Sequence, residues 1–304
     1  MNWSRAQTVL IVIFLLLNAV LGYYNFWRPL HIMEASVGGD EAIAAVRDRL
    51  LQEKITLLQS IPRKIPKVAP LQLKADTQMA DFVNRVFADQ SPEVIEQIDS
   101  YGNRFYIVRG ETEEMVLSTS GLATYTNEAV LLDEESPLIS YDFARSAAEQ
   151  FLRERLEVST FGYQLQSQWN QGVLAPSQTV IWCRSFDNSP VFDLTIEVTV
   201  VGDKVQRCTL NPLRIVGETG SEEWCTPASN ILLRLVEDDY ILALRDRKLA
   251  QGENWLVIKE IQFGYFSFFD ADQTAEAKPV WRVLFQDNHA VYYDALTAKR
   301  LFHG

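Results

Sequence analysis

Thr8 to Phe26 forms an almost unbroken apolar run in which Asn18 is the one strongly polar side chain. At about 1.5 Å rise per residue, such a run just spans a hydrocarbon core of roughly 30 Å. Trp3 flanks one end, and Tyr23, Tyr24, Phe26 and Trp27 flank the other. Amphipathic aromatics favour the two membrane–water interfaces, so the pattern predicts a transmembrane anchor over 8–27 behind a short tail of residues 1–7. A cleaved secretory signal has an apolar stretch of only about 7–15 residues and a small-residue cleavage site. Here the exit side, Gly22-Tyr23-Tyr24-Asn25-Phe26-Trp27-Arg28, is bulky and Val20-Leu21-Gly22 is a poor cleavage site, so an uncleaved anchor is expected. No cysteine follows the run, which leaves a lipoprotein anchor unsupported. Arg5 before the run and Arg28 after it nearly balance, and the orientation expected is amino terminus inside with the body outside.

After the anchor the apolar spacing becomes that of a folded, water-soluble body. Ile43, Val46, Leu50 and Leu51 share one helix face behind Asp40, a candidate N-cap. Pro62, Pro66 and Pro70 then break the chain into an extended connector. Residues 28–70 read as a juxtamembrane stalk whose helix either pairs with another helix or packs back on its own body. Val94–Tyr101, Asn103–Arg109 and Met115–Tyr125 alternate as strands, within a first α+β region over 71–136.

Two similar units follow, over 137–216 and 217–304. The first opens with Ser140 or Asp142 as cap. Phe143, Ala147, Phe151 and Ala144, Ala148, Leu152 then recur at helical spacing. Strands are predicted at Gly162–Trp169, Thr179–Phe186, Val191–Val200 and Lys204–Leu210. The second opens with Thr226 as N-cap and Pro227 at the first helical position, with Ile231, Leu232, Leu235 and Val236 as the apolar face. Strands are predicted at Trp255–Phe269, Val280–Gln286 and Ala290–Asp294. A helix across one face of an antiparallel sheet is the natural solution, so the fold class expected is α+β, duplicated after the anchor.

Composition narrows the function. Hydrophobic residues make up 47% of the chain, enough for real cores. The net charge of −12 argues against nucleic-acid binding, which needs clustered Lys and Arg on phosphates. Three cysteines cannot complete a disulfide framework. Cys183 and Cys208 fall on strands separated by the Val191–Val200 strand, about 9–10 Å apart if the three are neighbours, beyond disulfide reach. Buried free thiols are expected, with a Cys208–Cys225 bridge as the alternative.

Catalytic patterns are sparse. The three histidines are His31 beside the anchor, His289 in a turn and His303 next to the end. No Gly-x-Ser-x-Gly elbow, His-Glu-x-x-His or phosphate loop occurs, and the cysteines lack metal-ligand spacing. No catalytic residue, cofactor or metal site is expected. Asp270-Ala271-Asp272-Gln273-Thr274 begins like a calcium loop but lacks the glycine and glutamate such a loop needs, so a solvated hairpin loop is expected. Glu237-Asp238-Asp239 reads as the exposed end of a helix. The run Phe263, Tyr265, Phe266, Phe268, Phe269 reads as a buried strand, with an exposed docking strip as the alternative. In the anchor, Asn18 can hydrogen-bond to another helix, and Gly22 one turn later lets two backbones approach; a singly tolerated Asn is the alternative.

The opening Met1-Asn2-Trp3-Ser4 and Ile11-Val12-Ile13-Phe14-Leu15-Leu16-Leu17-Asn18 resemble the start of YycI proteins. The closing Pro279-Val280-Trp281-Arg282-Val283 and Tyr292-Tyr293-Asp294-Ala295-Leu296-Thr297 resemble the last hairpin of that family and of PepSY-type modules. The family commonly has Asp where this chain has Asn2. The acidic body and its cysteines match no family motif. YycI proteins are single-pass regulators of the Yyc/Wal sensor histidine kinase of Gram-positive bacteria. The resemblance therefore implies a PepSY-like extracellular body and cell-membrane localisation. It also implies partners in that kinase and a YycH-like protein. The anchor positions Phe14, Leu17, Asn18 and Gly22 would carry the transmembrane contact. The rival from another class is an extracytoplasmic protease inhibitor, or a wall-component-binding or enzymatic domain. A cleft with convergent polar groups would mark it.

Overall fold

The computed structural model describes residues 14, 40–75, 79–88, 90–100, 102, 104–118, 122–133, 136–166, 174–211, 213–269 and 275–303. The described chain is a mixed α/β fold, rich in antiparallel sheet with few helices. Helices α1 to α5 are Asp40–Gln52, Met79–Val86, Tyr141–Glu154, Ala228–Leu235 and Asp239–Ala250. The first strands are β1 (Ile55–Leu57), β2 (Lys67–Val68), β3 (Leu71–Ala75), β4 (Glu93–Ile98), β5 (Arg104–Arg109), β6 (Glu113–Ser118) and β7 (Ala123–Asn127). After α3 come β8 (Tyr163–Leu165), β9 (Ser177–Phe186), β10 (Ser189–Val201), β11 (Lys204–Leu210), β12 (Leu213–Glu218) and β13 (Glu223–Trp224). The last are β14 (Leu256–Phe269), β15 (Ala275–Phe285), β16 (Ala290–Asp294) and β17 (Arg300–His303). The chain forms two compact units that interleave in sequence. Of the described residues, one holds those within 68–223 and 263–280; the other holds those within 40–67, 224–262 and 281–303.

In the 68–223 unit, α3 lies on β9, β10 and β11. Ser140 Oγ caps the helix by accepting the Phe143 N–H at 3.2 Å. Ala144, Ala148 and Leu152, spaced four apart, are buried, whereas Phe143 is exposed. Two small residues in that stripe let the helix axis approach the sheet. Beneath them lie Val180, Trp182, Ile196, Val198 and Cys208. β10 pairs antiparallel with β9 and with β11, so it does separate Cys183 from Cys208. All three cysteines are buried and free. From β11 the sheet continues through β7, β6 and β5 to β4. The expected Met115–Tyr125 strand is two strands, β6 and β7. The described residues of 71–136 and of 137–216 lie in this one compact unit.

In the other unit, β1 pairs parallel with the start of β14 in the register Ile55↔Leu256, and the end of β15, then β16 and β17, follow beside it. This sheet is therefore not a pure antiparallel meander. The α1 helix packs against α4, burying Val46 and Leu50. Of the two expectations for residues 40–52, packing on the chain's own body is the one observed. Asp40 is the first residue of α1, and its carboxylate meets the Arg63 guanidinium.

The Thr226 cap is corrected. Pro227 stands at the N-cap of α4 without a side-chain bond. The Thr226 hydroxyl donates instead to the Leu296 carbonyl at 3.0 Å, and its own carbonyl accepts the Trp281 indole N–H at 2.8 Å. These bonds hold the chain on the final hairpin, whereas a cap would satisfy only one helix N–H. The expected apolar face of α4 is buried: Ile231, Leu232, Leu235 and Val236.

Candidate functional site

Of the four anchor positions singled out by sequence, Phe14 is helical and exposed. Leu17, Asn18 and Gly22 lie outside the described residues, as does nearly all of the 8–27 run. Among the described residues no helix is long and apolar enough to cross a membrane.

A cluster of titratable side chains forms where α5 begins. Glu237-Asp238-Asp239, expected at an exposed helix end, sits between two helices. Asp238 caps α5 by accepting the Tyr240 N–H at 3.0 Å. Its other oxygen accepts Arg300 Nε at 2.6 Å and the Tyr293 hydroxyl at 3.3 Å. The Asp238 side chain is only 12% exposed, so these three donors replace its water. Burial, then the Asp238 charge, push the Tyr293 phenol well above its usual range, which keeps it a donor. The Arg300 guanidinium also lies 5.0 Å from the Tyr240 ring centroid.

The same helix reaches the last hairpin turn. The Tyr240 hydroxyl and His289 Nε2 are 2.9 Å apart, and the imidazole stacks on Phe285 with centroids 6.0 Å apart. The His289 N–H donates to Asp287 Oδ1 at 3.2 Å, and Lys248 Nζ stands 3.0 Å from Asp287. Burial raises the Asp287 carboxyl, but Lys248 and the His289 N–H outweigh it and hold it below the usual carboxylate range. Sequence placed His289 in a turn, and nothing local marked Tyr240 as its partner. The cluster joins a helix N-terminus to a hairpin through side chains that satisfy one another. Chemically it is a brace.

The aromatic strand is packed, as the buried-strand expectation holds. Tyr265 and Ser267 are buried on one face. Phe263 meets Tyr265 edge-on at 5.6 Å. Phe266 and Phe268 are half-buried on the other face, 5.8 Å apart, with Lys278 Nζ 5.5 Å from the Phe268 ring centroid. The Phe269 side chain and the calcium-like residues 270–274 lie outside the described residues. Among the described residues no group of three or more His, Cys, Asp or Glu is placed to hold a metal.

Two depressions are lined by described residues alone. One, of about 380 Å³, is lined by Glu149, Arg153, Glu157, Val158, Ser159 and Thr160. Its charges already have partners: Glu149 with Arg145 at 2.8 Å, Arg153 with Glu154 at 3.4 Å, Glu157 with Arg85 at 3.2 Å. The other, of about 210 Å³, lies between α1 and β1 beside Leu50, Leu51 and Leu57. Neither has the convergent buried polar groups of a small-molecule site.

No family profile and no curated protein matches the sequence. Among solved structures, the chain is similar to an uncharacterized protein from Eubacterium rectale, with a TM-score of 0.51 and 12% identity over 82% of this chain and 89% of that one. It is also similar to the C-terminal domain of Bacillus megaterium YpeB, with a TM-score of 0.35 and 9% identity over 76% of this chain and 97% of that domain. At such identities the first likeness bears on fold alone.

Proposed function

We propose that this chain is a non-catalytic, membrane-anchored regulator. In this reading it modulates a cell-envelope sensor histidine kinase through its transmembrane helix and its extracellular body. The observation that carries the reading is Asn18 within the apolar run from Thr8 to Phe26, followed by Gly22 one turn on. An amide in hydrocarbon is stabilised by a donor or acceptor on a neighbouring helix, and such a bond contributes about 0.6–2 kcal/mol. The resemblance of both chain ends to YycI proteins points the same way. A lateral helix contact biases a kinase between two states by differential affinity, without chemistry. The body would lie outside the cell, joined by a YycH-like partner.

The test is crosslinking and recovery of the full-length protein from its native membrane beside an Asn18→Leu variant. Co-recovery of a sensor kinase that weakens in the variant is expected. Equal recovery from both would move the contact to the outer body. Recovery of no kinase would overturn the regulatory reading.

A further inference from the structure

The sheet of the 68–223 unit ends on β4, which among the described residues pairs only with β5. Natural edge strands are usually blunted by charged side chains, Pro, a bulge or a covering element. β4 reads Glu-Val-Ile-Glu-Gln-Ile: it follows Pro92 but holds no Pro itself, and its charges, Glu93 and Glu96, are all acidic, so they oppose an acidic strand and leave a basic one free to pair. Its register with β5 is unbroken from Glu93↔Arg109 to Ile98↔Arg104, and the β5–β6 register is unbroken too, so no bulge twists the edge away. The strand is open to solvent along its length, with only Ile95 half-buried.

Side chains on paired positions show what the edge presents. Tyr125, Met115, Val108 and Val94 are directly opposite one another across β7, β6, β5 and β4, and so share a face. The first three are at most 2% exposed, whereas Val94 is 62% exposed. The core-facing row thus runs out to the edge uncovered. Ile98, on the same face as Val94, is 60% exposed. Glu96 lies between them, 3.6 Å from Arg104, with both side chains more than half exposed. On the opposite face Glu93 and Gln97 flank Ile95.

We infer that β4 accepts an added antiparallel strand from a different protein. The segment would be extended and would alternate apolar residues with a Lys or Arg opposite Glu96. Main-chain bonds would supply affinity and the alternating side chains specificity. A second copy fits less well. The register that sets Val94 against Ile98 in both directions sets Glu96 against Glu96, and each copy carries a net charge of −12. That same acidity draws a basic segment toward the edge. The inference stands on this unit alone and holds whatever the amino-terminal run does.

The test uses the full-length protein in detergent and a capped peptide centred on Val-Thr-Lys-Ile-Val-Lys. In antiparallel register its residues face Ile98 back to Glu93 in turn. Binding is expected to slow amide exchange in Glu93–Ile98. A Val94→Lys/Ile98→Lys double variant and an Glu96→Lys variant should each weaken it at least tenfold, with far-UV circular dichroism unchanged because all three side chains are exposed. N-methylation of alternate peptide residues should abolish binding in one frame and spare it in the other. Equal binding in both frames, an unaffected double variant, or protection elsewhere would overturn the proposal. Self-association of the free protein that the double variant abolishes would assign the edge to a second copy, overturning the choice of partner.

Discussion

Asp193 on β10 holds Ser267 on β14 through both carboxylate oxygens. The Ser267 N–H donates to Oδ1 at 2.9 Å and its hydroxyl donates to Oδ2. The backbone explains why. β10 meets β14 only at Val191↔Tyr265, then turns its ladder to β11 from Ile196 onward. In the gap the carboxylate stands in for a main-chain acceptor. Asn211 closes the other side, donating Nδ2 to the Asp193 carbonyl at 3.0 Å and its N–H to Thr195 at 3.1 Å. Without these side chains the Ser267 N–H would lose its acceptor and the Asp193 carbonyl its Asn211 donor.

Replacing Asp193 with Ala removes two bonds to a charged acceptor and leaves the Ser267 N–H without one. A loss of about 1.5–3 kcal/mol is expected in urea unfolding. Asp193→Asn keeps an acceptor for that N–H and is expected to cost less. Equal losses would show that the carboxylate charge, not the acceptor, holds the fork.

The same residue has a pH signature. Burial raises the Asp193 carboxyl above its ordinary value of 3.8, although the two Ser267 bonds oppose this. Between the ordinary and the raised value the folded state binds more protons than the unfolded state. The contribution of this group to stability is therefore full below 3.8 and falls as pH rises through the raised value. Other carboxylates slope differently, so the difference between wild type and Asp193→Asn is the readout. Wild type should gain relative to the variant as pH falls through that window; a flat difference would contradict the burial.

Asp238 is expected to be the costlier polar residue of the other unit. Asp238→Ala removes the α5 cap and strands Arg300 and the Tyr293 hydroxyl. About 2–4 kcal/mol is expected from the denaturation midpoint. Asp238→Ser preserves a capping oxygen and should recover about 1 kcal/mol of it.

Gly264 admits no side chain. An added Cβ would stand 2.4 Å from the Pro190 carbonyl oxygen and 2.6 Å from a Phe192 ring carbon. Gly264→Ala is expected to destabilise by about 1–3 kcal/mol despite its better strand entropy. Pairing it with Phe192→Leu should not restore stability fully, because the carbonyl contact remains.

Cys183, Cys208 and Cys225 should be silent to an aromatic disulfide reagent in the native protein and all react in denaturant. Burial pushes the Cys208 thiol up strongly, and burial followed by Asp294 pushes Cys225 up to about 12. A thiol that reacts natively would point to local opening of its strand.

Sequence by itself determined the elements whose periodicity is local. The stripe Ala144, Ala148, Leu152 marks α3 with its Ser140 cap, and the alternation over 179–210 marks β9 to β11, including the strand that separates Cys183 from Cys208. It also carries the apolar run at 8–27, on which the proposed function rests. It did not mark α5, because Ile241 and Leu244 are its only buried residues and form no long stripe. Tertiary structure alone decided which distant segments complete each unit. β1 pairs with β14, with Ile55 opposite Leu256, and the α1 helix packs on α4. Asp193 finds Ser267 across a separation of 74, and Asp238 finds Arg300 across 62. An apolar face is encoded by the spacing of a few residues, so it can be read along the chain. The partner of a buried carboxylate, or whether a core-facing row such as Tyr125 to Val94 ends covered or open, depends on which surfaces meet, and that is set only when the whole chain packs.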